Sequence, residues 1–460
     1  MPDHVTCITA CPIVNAHNPS GQGFRQRIVS AHNATGPVRP WSVTHDPRRT
    51  SWSGTVPYHF AREHRPHDLD ALRALVAGSS HLRPVGTAHT FNDLPDAAAG
   101  AEVAAVSVAA LDELQVGDDR TWVRVGAGLT HAQLAVALEP HGLALENLAS
   151  LPHLNVAGAV ATATHGSGVR TGNLATQVRA VELVLASGDV VTVRRGEPDF
   201  DGTVVGLGAL GVVTALELDV VPAADHRQVV LLDGDPETLP DRLASILALG
   251  RSVSVFTLWD GSPDRVWVKS RDGDPELDLT ATGLAPMTGE QHPIPGLDPV
   301  HCTAQQGVPG PWVERLPHFR PGFLPSVGDE VQSEFHVPFE HAADAARAVR
   351  AVGEHLAVAL QVAEIRAVAA DTLWLSPQFG QTTCSFHFTW VGDTVLADAA
   401  ARVVEEALAP FAPRPHWGKH FTLDVRRAYP RLDDFRALRD RLDPDRTFVN
   451  PWLERVLLDG

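Results

Sequence analysis

The chain has 460 residues, of which 44% are hydrophobic, and this is enough for two or three globular domains. It carries 37 Lys and Arg residues against 55 Asp and Glu residues, which gives a formal net charge of −18. A surface this acidic repels phosphate backbones and anionic lipids, so nucleic-acid binding and membrane-surface roles are disfavoured. Because no stretch has the apolar length of a membrane span, we expect no membrane segment.

The cysteine content favours a reducing compartment. The four cysteines are Cys7, Cys11, Cys302 and Cys384. Their spacing matches neither a metal site nor a disulfide framework, which is typical of buried, reduced thiols. No Lys or Arg precedes Arg25, and Arg48-Arg49 is not followed by a hydrophobic segment, so neither export route is indicated. We expect a cytoplasmic protein, and also a monomer without a bound metal.

The first part of the chain predicts an extension followed by a helix and a strand. Residues 1–50 show neither helical nor strand periodicity and predict a flexible N-terminal extension. After it, the apolar residues of LDALRALV, 69–76, share one face of a predicted helix that ends at Gly78 and Ser79. This helix leads into a predicted strand and turn at 83–91, RPVGTAHTF, which is an α/β opening.

The next segments complete a first domain. The pattern predicts a strand at 122–128 and a helix that Thr130 caps. A hairpin turns at 187–188, and a strand follows at 212–220 after the glycine-rich GLGALG. A proline then ends the pattern, so we predict a domain over 51–223.

The second half predicts a different domain. Residues 225–330 give short strands, VSVFTLW and RVWVKS, and then long loops over 272–328. From 331 the pattern predicts a helix, FEHAADAARAVRAVGEHLAV, two strands, LQVAEIRAVA and SFHFTWVGD, and a further helix, DTVLADAAARVVEEALAPF. This order is typical of an antiparallel sheet with helices on one side. We assign 224–415 to this domain and 416–460 to a segment whose helix returns to the first domain, which gives an α+β fold class.

Two stretches of small residues are candidates for a ligand site. In RPVGTAHTF, Gly86, Thr87 and Ala88 leave room for a ligand against the backbone, and His89 offers a ring nitrogen. Taken alone, such a turn is more often plain loop. The second stretch, 148–168, LASLPHLNVAGAVATATHGSG, is too rich in small residues to build a core by itself and suits a backbone lying against a large flat ligand.

Two predicted strands of the second domain carry polar faces. Glu364 and Arg366 are two residues apart and project from the same face of their strand. Ser385, His387 and Thr389 likewise share one face of SFHFTW. These faces either line a pocket or meet solvent, as one face of an antiparallel sheet commonly does.

These motifs carry a family resemblance. GTAHTF, followed by ASLPH and AGAVATATHGSG, resembles the vanillyl-alcohol-oxidase type of FAD-binding domain. AEIRAVAADTLWLSP, FHFTW and RPHWGK extend the likeness to the alditol oxidases, also called xylitol or sorbitol oxidases. The resemblance covers residues 51–460 and implies a two-subdomain FAD-binding domain with a substrate-binding cap domain.

The resemblance also implies the reaction and the site residues. It implies FAD bound covalently to His89, and oxidation of a polyol's terminal primary alcohol to the aldose with O2 reduced to H2O2. It places the other cofactor-binding residues at Val85, Gly86, Thr87, Ala88, Thr90, Phe91, Ser150, Asn155, Gly158, Ala159, Thr162, His165, Val212 and His416. It places substrate-binding residues at Ser150, Glu364, Arg366, Thr389 and Lys419, of which Glu364, Arg366 and Lys419 are the catalytic candidates.

The chain departs from the family pattern near the histidine. The family's turn is usually Gly-Ser-Gly-His-Ser, whereas this chain has Thr87, Ala88 and Thr90 around His89. No cysteine lies in or near 148–168, so we expect no second, thiol-based attachment of the flavin.

Three alternative functions agree less well with this pattern. An aldonolactone oxidoreductase of the same fold would act on a sugar lactone, but the Glu364 and Arg366 pair followed by FHFTW favours the alditol group. Phenol oxidases of the superfamily hold a phenolate with tyrosines, and Tyr58 and Tyr429 both lie outside the pocket segments. The third is a flavin-binding or sugar-binding protein without catalysis, since fold does not fix function.

Overall fold

A computed structural model describes residues 50–97, 102–104, 113–280, 282–322 and 330–458. The predicted extension at 1–50 lies outside the described residues, apart from Thr50. The strands are β1 (Arg62–His64), β2 (Glu102–Ala104), β3 (Leu114–Val116), β4 (Trp122–Gly126), β5 (Leu143–Ala144), β6 (Val178–Val184), β7 (Val190–Arg194), β8 (Val212–Asp219), β9 (Val221–Pro222), β10 (His226–Asp233), β11 (Ser252–Thr257), β12 (Asp264–Arg271), β13 (Ala285–Pro286), β14 (Glu330–Pro338), β15 (Leu360–Val368), β16 (Thr383–Val391) and β17 (Arg414–Pro415). The helices are α1 (Leu69–Ala77), α2 (His131–Leu138), α3 (Val156–Ala161), α4 (Phe200–Thr203), α5 (Leu239–Leu247), α6 (Ala342–Ala351), α7 (Gly353–Leu356), α8 (Thr394–Leu408), α9 (Leu432–Leu442) and α10 (Pro451–Leu453), with a π-helical turn at Glu454–Leu458.

The first half of the chain forms a five-stranded antiparallel sheet in the order β3-β4-β8-β6-β7. The predicted strands at 122–128 and 212–220 and the hairpin at 187–188 are confirmed as β4, β8 and the β6–β7 turn. Helix α1 is also confirmed, because it buries Leu72 and Val76 and ends at Gly78.

The predicted strand at the start of 83–91 is wrong. These residues are irregular apart from a single bridge at Val85. Ala88 has a φ of 53°, in the left-handed region, where a strand does not continue. Its carbonyl accepts a hydrogen bond from the Trp52 N–H at 2.8 Å, and the Phe91 N–H donates to the Gly418 carbonyl at 2.8 Å. The backbone groups of this segment therefore bond to distant loops.

The second half forms an eight-stranded sheet in the order β13-β10-β12-β11-β15-β16-β14-β17. All its pairings are antiparallel. The sequence pattern did not predict β10, which pairs with β12 over eight residues, or the amphipathic α5. In the described part of 272–328 the chain is irregular apart from β13 and short 3-10 turns, as predicted.

The alanine-rich segment predicted as one helix is broken into α6 and α7. The break comes at Val352, immediately before Gly353. A Cβ atom on Gly353 would lie 2.3 Å from the carbonyl oxygen of Trp259. The chain therefore needs glycine where it passes the loop after β11.

The two faces of the large sheet have different environments. Helices α5, α6 and α8 pack on one face, where Leu243, Val349, Val404 and Phe386 belong to one apolar core. The opposite face carries polar side chains that are buried against other parts of the chain. That polar face is where the candidate site lies.

Helix α9, near the C-terminus, packs against the first half of the chain. Phe435 and Leu438 of α9 share an apolar core with Phe200 and Val204 of the first half. None of the helices within the described ranges is long and apolar enough to cross a membrane.

Candidate active site

A cavity that is partly open to solvent lies beside segment 83–91. It is lined by the predicted cofactor-binding residues Val85, Gly86, Thr87, Ala88, His89, Thr90, Asn155, Gly158, Ala159, Thr162 and His416. The structure thus brings the two small-residue stretches and the C-terminal RPHWGK together around one cavity.

Four residues of the prediction do not line this cavity: Phe91, Ser150, His165 and Val212. Val212 is buried in an apolar core with Leu72. Phe91 is only 3% exposed. Ser150 and His165 contact the polar pocket described below.

The glycine-rich segment 206–211 was missed as part of the site. Gly206, Leu207, Gly208, Leu210 and Gly211 all line the cavity. The signal was present in the sequence as GLGALG before a strand, a pattern that lets a ligand approach the backbone closely.

The cavity wall is closely packed at two glycines and has no acidic side chain among the described residues, which suits an anionic cofactor. A Cβ atom on Gly86 would lie 3.0 Å from Asn155 Oδ1, and one on Gly211 would lie 2.7 Å from the Val184 carbonyl oxygen. Larger side chains at these positions would therefore be crowded. No Asp or Glu lines the cavity in the part of the chain that the structure describes, so no carboxylate repels a diphosphate there.

His89 lies in the cavity wall among other rings. Its Nδ1 is 3.2 Å from His153 Nε2, and its ring centroid is 4.2 Å from that of Trp52. Burial, followed by the influence of His153, holds the pKa of His89 well below its ordinary value. The imidazole is therefore neutral at pH 7, as a nucleophilic nitrogen needs to be.

The polar side chains of the large sheet are buried together in a cluster, called the polar pocket, so the alternative that this face meets solvent is wrong. Glu364 is 4% exposed and Arg366 is 5% exposed. Glu364 is in register with His387 on β16, and Arg366 is in register with Ser385. Side chains that stand opposite each other on neighbouring strands lie within contact distance.

Glu334 on β14 joins the charges of this pocket and was missed by the sequence reasoning. Its Oε1 accepts from Arg366 Nη2 at 2.7 Å and its Oε2 accepts from Lys419 Nζ at 2.6 Å. His165 Nε2 lies 3.0 Å from Oε1, and the Ser385 hydroxyl also donates to this carboxylate. Burial raises the pKa of Glu334, but the two cations outweigh it and hold that pKa well below its ordinary value.

Glu364 is held by a second set of partners. Its Oε1 lies 2.9 Å from His318 Nε2 and 3.6 Å from Arg366 Nε. Its Oε2 lies 3.9 Å from His387 Nδ1. Burial raises the pKa of Glu364, but Arg366 and His318 lower it by more than burial raises it. The group is therefore a carboxylate at pH 7.

Lys419 is fixed by the turn that also lines the cavity. Asn92 Nδ2 donates to the carbonyl oxygens of Trp417 and Lys419, both at 2.8 Å. Trp417 is fully buried, and its Nε1 donates to the Leu375 carbonyl at 2.6 Å. Burial lowers the pKa of Lys419, whereas Glu334 raises it. The cavity and the polar pocket therefore share the turn at 416–419.

The remaining predicted substrate residues lie at the edges of the pocket. Thr389 is 7% exposed and is in register with Gln332 on β14. The Ser150 carbonyl accepts a hydrogen bond from the His318 N–H at 3.1 Å. The structure thus brings Ser150 to the histidine that contacts Glu364.

One group in the pocket has the residue types of a metal site. The ligand atoms of His165, Glu334 and His336 lie within 4.8 Å of one another. However, an ammonium and a guanidinium already bind Glu334, and they would repel a metal cation. We therefore assign no metal to these residues.

Comparisons with known proteins agree with this arrangement. Residues 64–194 match the family model described as FAD binding domain, and residues 329–456 match that of D-arabinono-1,4-lactone oxidase. An alditol oxidase from Streptomyces sp. (strain IKD472 / FERM P-14339) is 47% identical over 420 residues, which cover 89% of this chain and 99% of the relative. The chain belongs to the alditol oxidase family. It is an FAD-dependent oxidoreductase, and the resemblance noted in its motifs is confirmed.

Two further relatives are more distant in sequence. An L-gulono-1,4-lactone dehydrogenase from Mycobacterium tuberculosis is 28% identical, over 84% of this chain and 93% of the relative. Cholesterol oxidase from Brevibacterium sterolicum has a solved structure that matches with a TM-score of 0.69 at 15% identity, over 89% of this chain and 96% of that one. This likeness concerns the fold alone, and it confirms the predicted α+β architecture.

Proposed function

We propose that the protein is an alditol oxidase, which converts the terminal CH–OH of a polyol such as xylitol or sorbitol to the aldehyde of an aldose. The alcohol loses two electrons and two protons in total, and O2 takes them up as H2O2. The observation that carries this proposal is the cluster of buried Glu364 and Arg366 with the partly buried Lys419, next to the cavity. An uncharged substrate with many hydroxyls can donate to the carboxylate and accept from the two cations.

The residue types suit alcohol oxidation. Bound FAD would supply the acceptor for the hydride that leaves the alcohol carbon. The protein must hold the hydroxyl and stabilise negative charge on its oxygen as the proton leaves. We assign that charge stabilisation to Lys419 and Arg366, hydroxyl binding to Glu364, and the rest of the grip on the carbon chain to Thr389 and Ser150.

We also propose that FAD occupies the cavity beside 83–91 and is attached covalently to His89. A neutral imidazole in the cavity wall supports this attachment. The lack of Asp and Glu side chains in the described cavity wall supports an anionic diphosphate there.

The first experiment is acid precipitation, followed by anaerobic addition of xylitol to a native sample. We expect the yellow colour to stay with the precipitated protein, xylitol to bleach the flavin band, and His89→Ala to release the colour. Colour that washes out would overturn the attachment but leave the cofactor site. Bleaching by a sugar lactone and by no polyol would favour lactone oxidation, and bleaching by neither would favour a binding protein.

Lys419→Met tests the assignment of charge stabilisation. We expect the rate of flavin reduction by xylitol to fall by about 100-fold, because a preorganised charge is lost. Folding should suffer much less, since Glu334 keeps Arg366 and His165 as partners. Stopped-flow reduction and thermal unfolding of the same sample measure both effects, and an active variant would remove Lys419 from the mechanism.

We further expect a monomer in the cytoplasm. Both described cysteines, Cys302 and Cys384, are free and buried, and burial raises the pKa of the Cys302 thiol to about 12. Unreactive thiols of this kind need no oxidising compartment. Light scattering and cell fractionation measure the two properties.

A further inference from the structure

Lys269 is a buried charge that the proposed reaction does not use. The chain contains two lysines, Lys269 and Lys419, in a sequence whose other basic residues are arginine. Lys269 is 1% exposed in β12, on the face that carries the polar pocket. A fully buried lysine is costly unless each of its N–H groups has a partner.

The contacts of Lys269 lead toward the substrate pocket. Its Nζ donates to the carbonyl oxygens of Leu316 and of Pro317, the second at 2.9 Å, and lies 3.3 Å from His318 Nδ1. The other ring nitrogen, Nε2, lies 2.9 Å from Glu364 Oε1. A continuous line of hydrogen-bonding groups therefore runs from Lys269 through His318 to Glu364.

The ammonium decides which nitrogen of His318 carries the proton. In its ammonium form Lys269 has three donors and no acceptor, so below its pKa of about 7 the Nδ1 that faces it must be unprotonated. Burial, together with Lys269, lowers the pKa of His318 to about 4, which keeps the ring neutral at pH 7. Its single proton must then be on Nε2, where it is donated to Glu364 Oε1. This bond leaves Oε2 as the carboxylate oxygen for a hydroxyl of the substrate.

We propose that Lys269 is a positioning residue, which fixes one tautomer of His318 and thereby orients the Glu364 carboxylate toward the substrate. The proposal rests on the function proposed above for Glu364. Glu364 touches the substrate directly, whereas Lys269 acts through His318. A purely structural role, tying residues 316–318 to β12, is the alternative.

A double-mutant cycle separates these two roles. We expect Lys269→Met to lower kcat/KM for xylitol by about 10- to 100-fold, the range typical of groups that orient a directly binding residue. In a Glu364→Gln background the same change should cost less than about twofold, because the carboxylate that it orients is gone. An equal loss in both backgrounds would overturn the proposal.

Thr303→Val is the matched control. The Thr303 hydroxyl donates to the Pro317 carbonyl at 2.7 Å and so fastens the same segment. The structure shows no hydrogen bond between this hydroxyl and the His318 ring. This variant should lower the melting temperature and leave kcat/KM within about twofold of the parent value. A loss of kcat/KM as large as that of Lys269→Met would favour the structural role.

A second measurement requires neither turnover nor a change at Lys269. In protein labelled with 13C at lysine Cε, Lys419→Arg leaves Lys269 as the single lysine, and its signal is then titrated. Burial lowers the pKa of Lys269 to about 7, and the Glu364 carboxylate opposes this by raising it. Glu364→Gln should therefore lower the titration midpoint by at least about half a pH unit.

The two measurements have separate failures. An unchanged midpoint in Glu364→Gln would show that Lys269 and Glu364 are not coupled and would overturn the inference. If no polyol reduced the flavin of the parent protein, the proposed function would fall, whereas the titration would still decide the coupling. If Lys269→Met does not fold, the titration decides alone.

Discussion

At the scale of single residues, Glu334 is the shared counter-ion of the pocket. Its carboxylate contacts both Arg366 and Lys419. Removing Glu334 would break both of its buried ion pairs, a loss that typically costs about 3–5 kcal/mol. The two cations that we assign to charge stabilisation thus depend on one carboxylate.

Glu334→Gln should lower kcat/KM for xylitol by at least about 100-fold, because Lys419 loses its carboxylate partner and Arg366 keeps only the more distant Glu364. It should also change the pH dependence. Glu334 raises the pKa of Lys419, so removing Glu334 lowers that pKa. Activity that needs the ammonium is then lost at a lower pH as the pH is raised. The pH profile of flavin reduction measures this shift.

Glu330→Gln provides the control for that variant. Glu330 lies on the same strand and the same face, four residues away, and is half-buried. The same chemical change there should leave both kcat/KM and the pH profile near those of the parent protein. Equal effects at the two positions would contradict the role of Glu334.

The sequence contained part of the signal for Glu334. Gln332, Glu334 and His336 alternate along EVQSEFHVP, as Glu364 and Arg366 do along their strand. Alternation shows that side chains share a face, but it does not show which strands are neighbours. Glu334 meets Arg366 because β14 and β15 both flank β16, a pairing over long sequence distance.

At the scale of elements, helix α2 supports the cofactor cavity through its first turn. The Thr130 hydroxyl accepts from the Gln133 N–H, and the Gln133 side chain accepts from the Thr130 N–H at 2.9 Å. The N–H groups of His131 and Ala132, which have no partner within the helix, donate to the carbonyls of Leu154 and Pro152. The helix start therefore holds the loop that leads to Asn155.

Thr130→Ala should lower stability by about 1 kcal/mol through loss of the cap. We also expect FAD to bind about fivefold more weakly, measured in the His89→Ala background, where the cofactor dissociates. Asp393→Ala removes the cap of α8, which lies in the second half of the chain, and should cost similar stability without changing FAD affinity. Equal changes in affinity would contradict the role of α2.

Elements were predictable where the local pattern decided them. The caps and apolar faces of α1 and α2 are local, and both helices form as expected. Segment 83–91 was misread because its apolar start resembles a strand, while Ala88 with its positive φ and the bonds to Trp52 and Gly418 depend on distant segments. The need for glycine at 353 likewise depends on the distant Trp259 carbonyl.

At the scale of the whole molecule, the site lies where the two halves of the chain meet. The Gly168 N–H donates to the Ala367 carbonyl at 2.7 Å, and the Ala369 N–H donates to the Thr171 carbonyl at 3.0 Å. These bonds join the end of the small-residue run to β15, which carries Glu364. Composition and periodicity give no information on such contacts, whereas the family resemblance supplied most of the residues around them.

The same large sheet carries a buried carboxyl group away from the site. Asp264, at the start of β12, is 1% exposed and in register with Asp233 of β10. Burial raises the pKa of Asp264 from its ordinary 3.8 to about 7. A raised pKa in the folded state favours the protonated form, so this group's contribution to stability is full below pH 4 and is lost as the pH rises to 7.

Asp264→Asn should therefore stabilise the protein at alkaline pH. Since each pH unit between the two pKa values is worth about 1.4 kcal/mol, the gain should be near zero at pH 4 and approach about 4 kcal/mol at pH 8. Urea unfolding at both pH values measures it. Asp260→Asn, at an exposed aspartate four residues away, should change stability by less than about 0.5 kcal/mol at either pH. A gain for Asp264→Asn that is equal at pH 4 and pH 8 would mean that the carboxyl is not held neutral by burial.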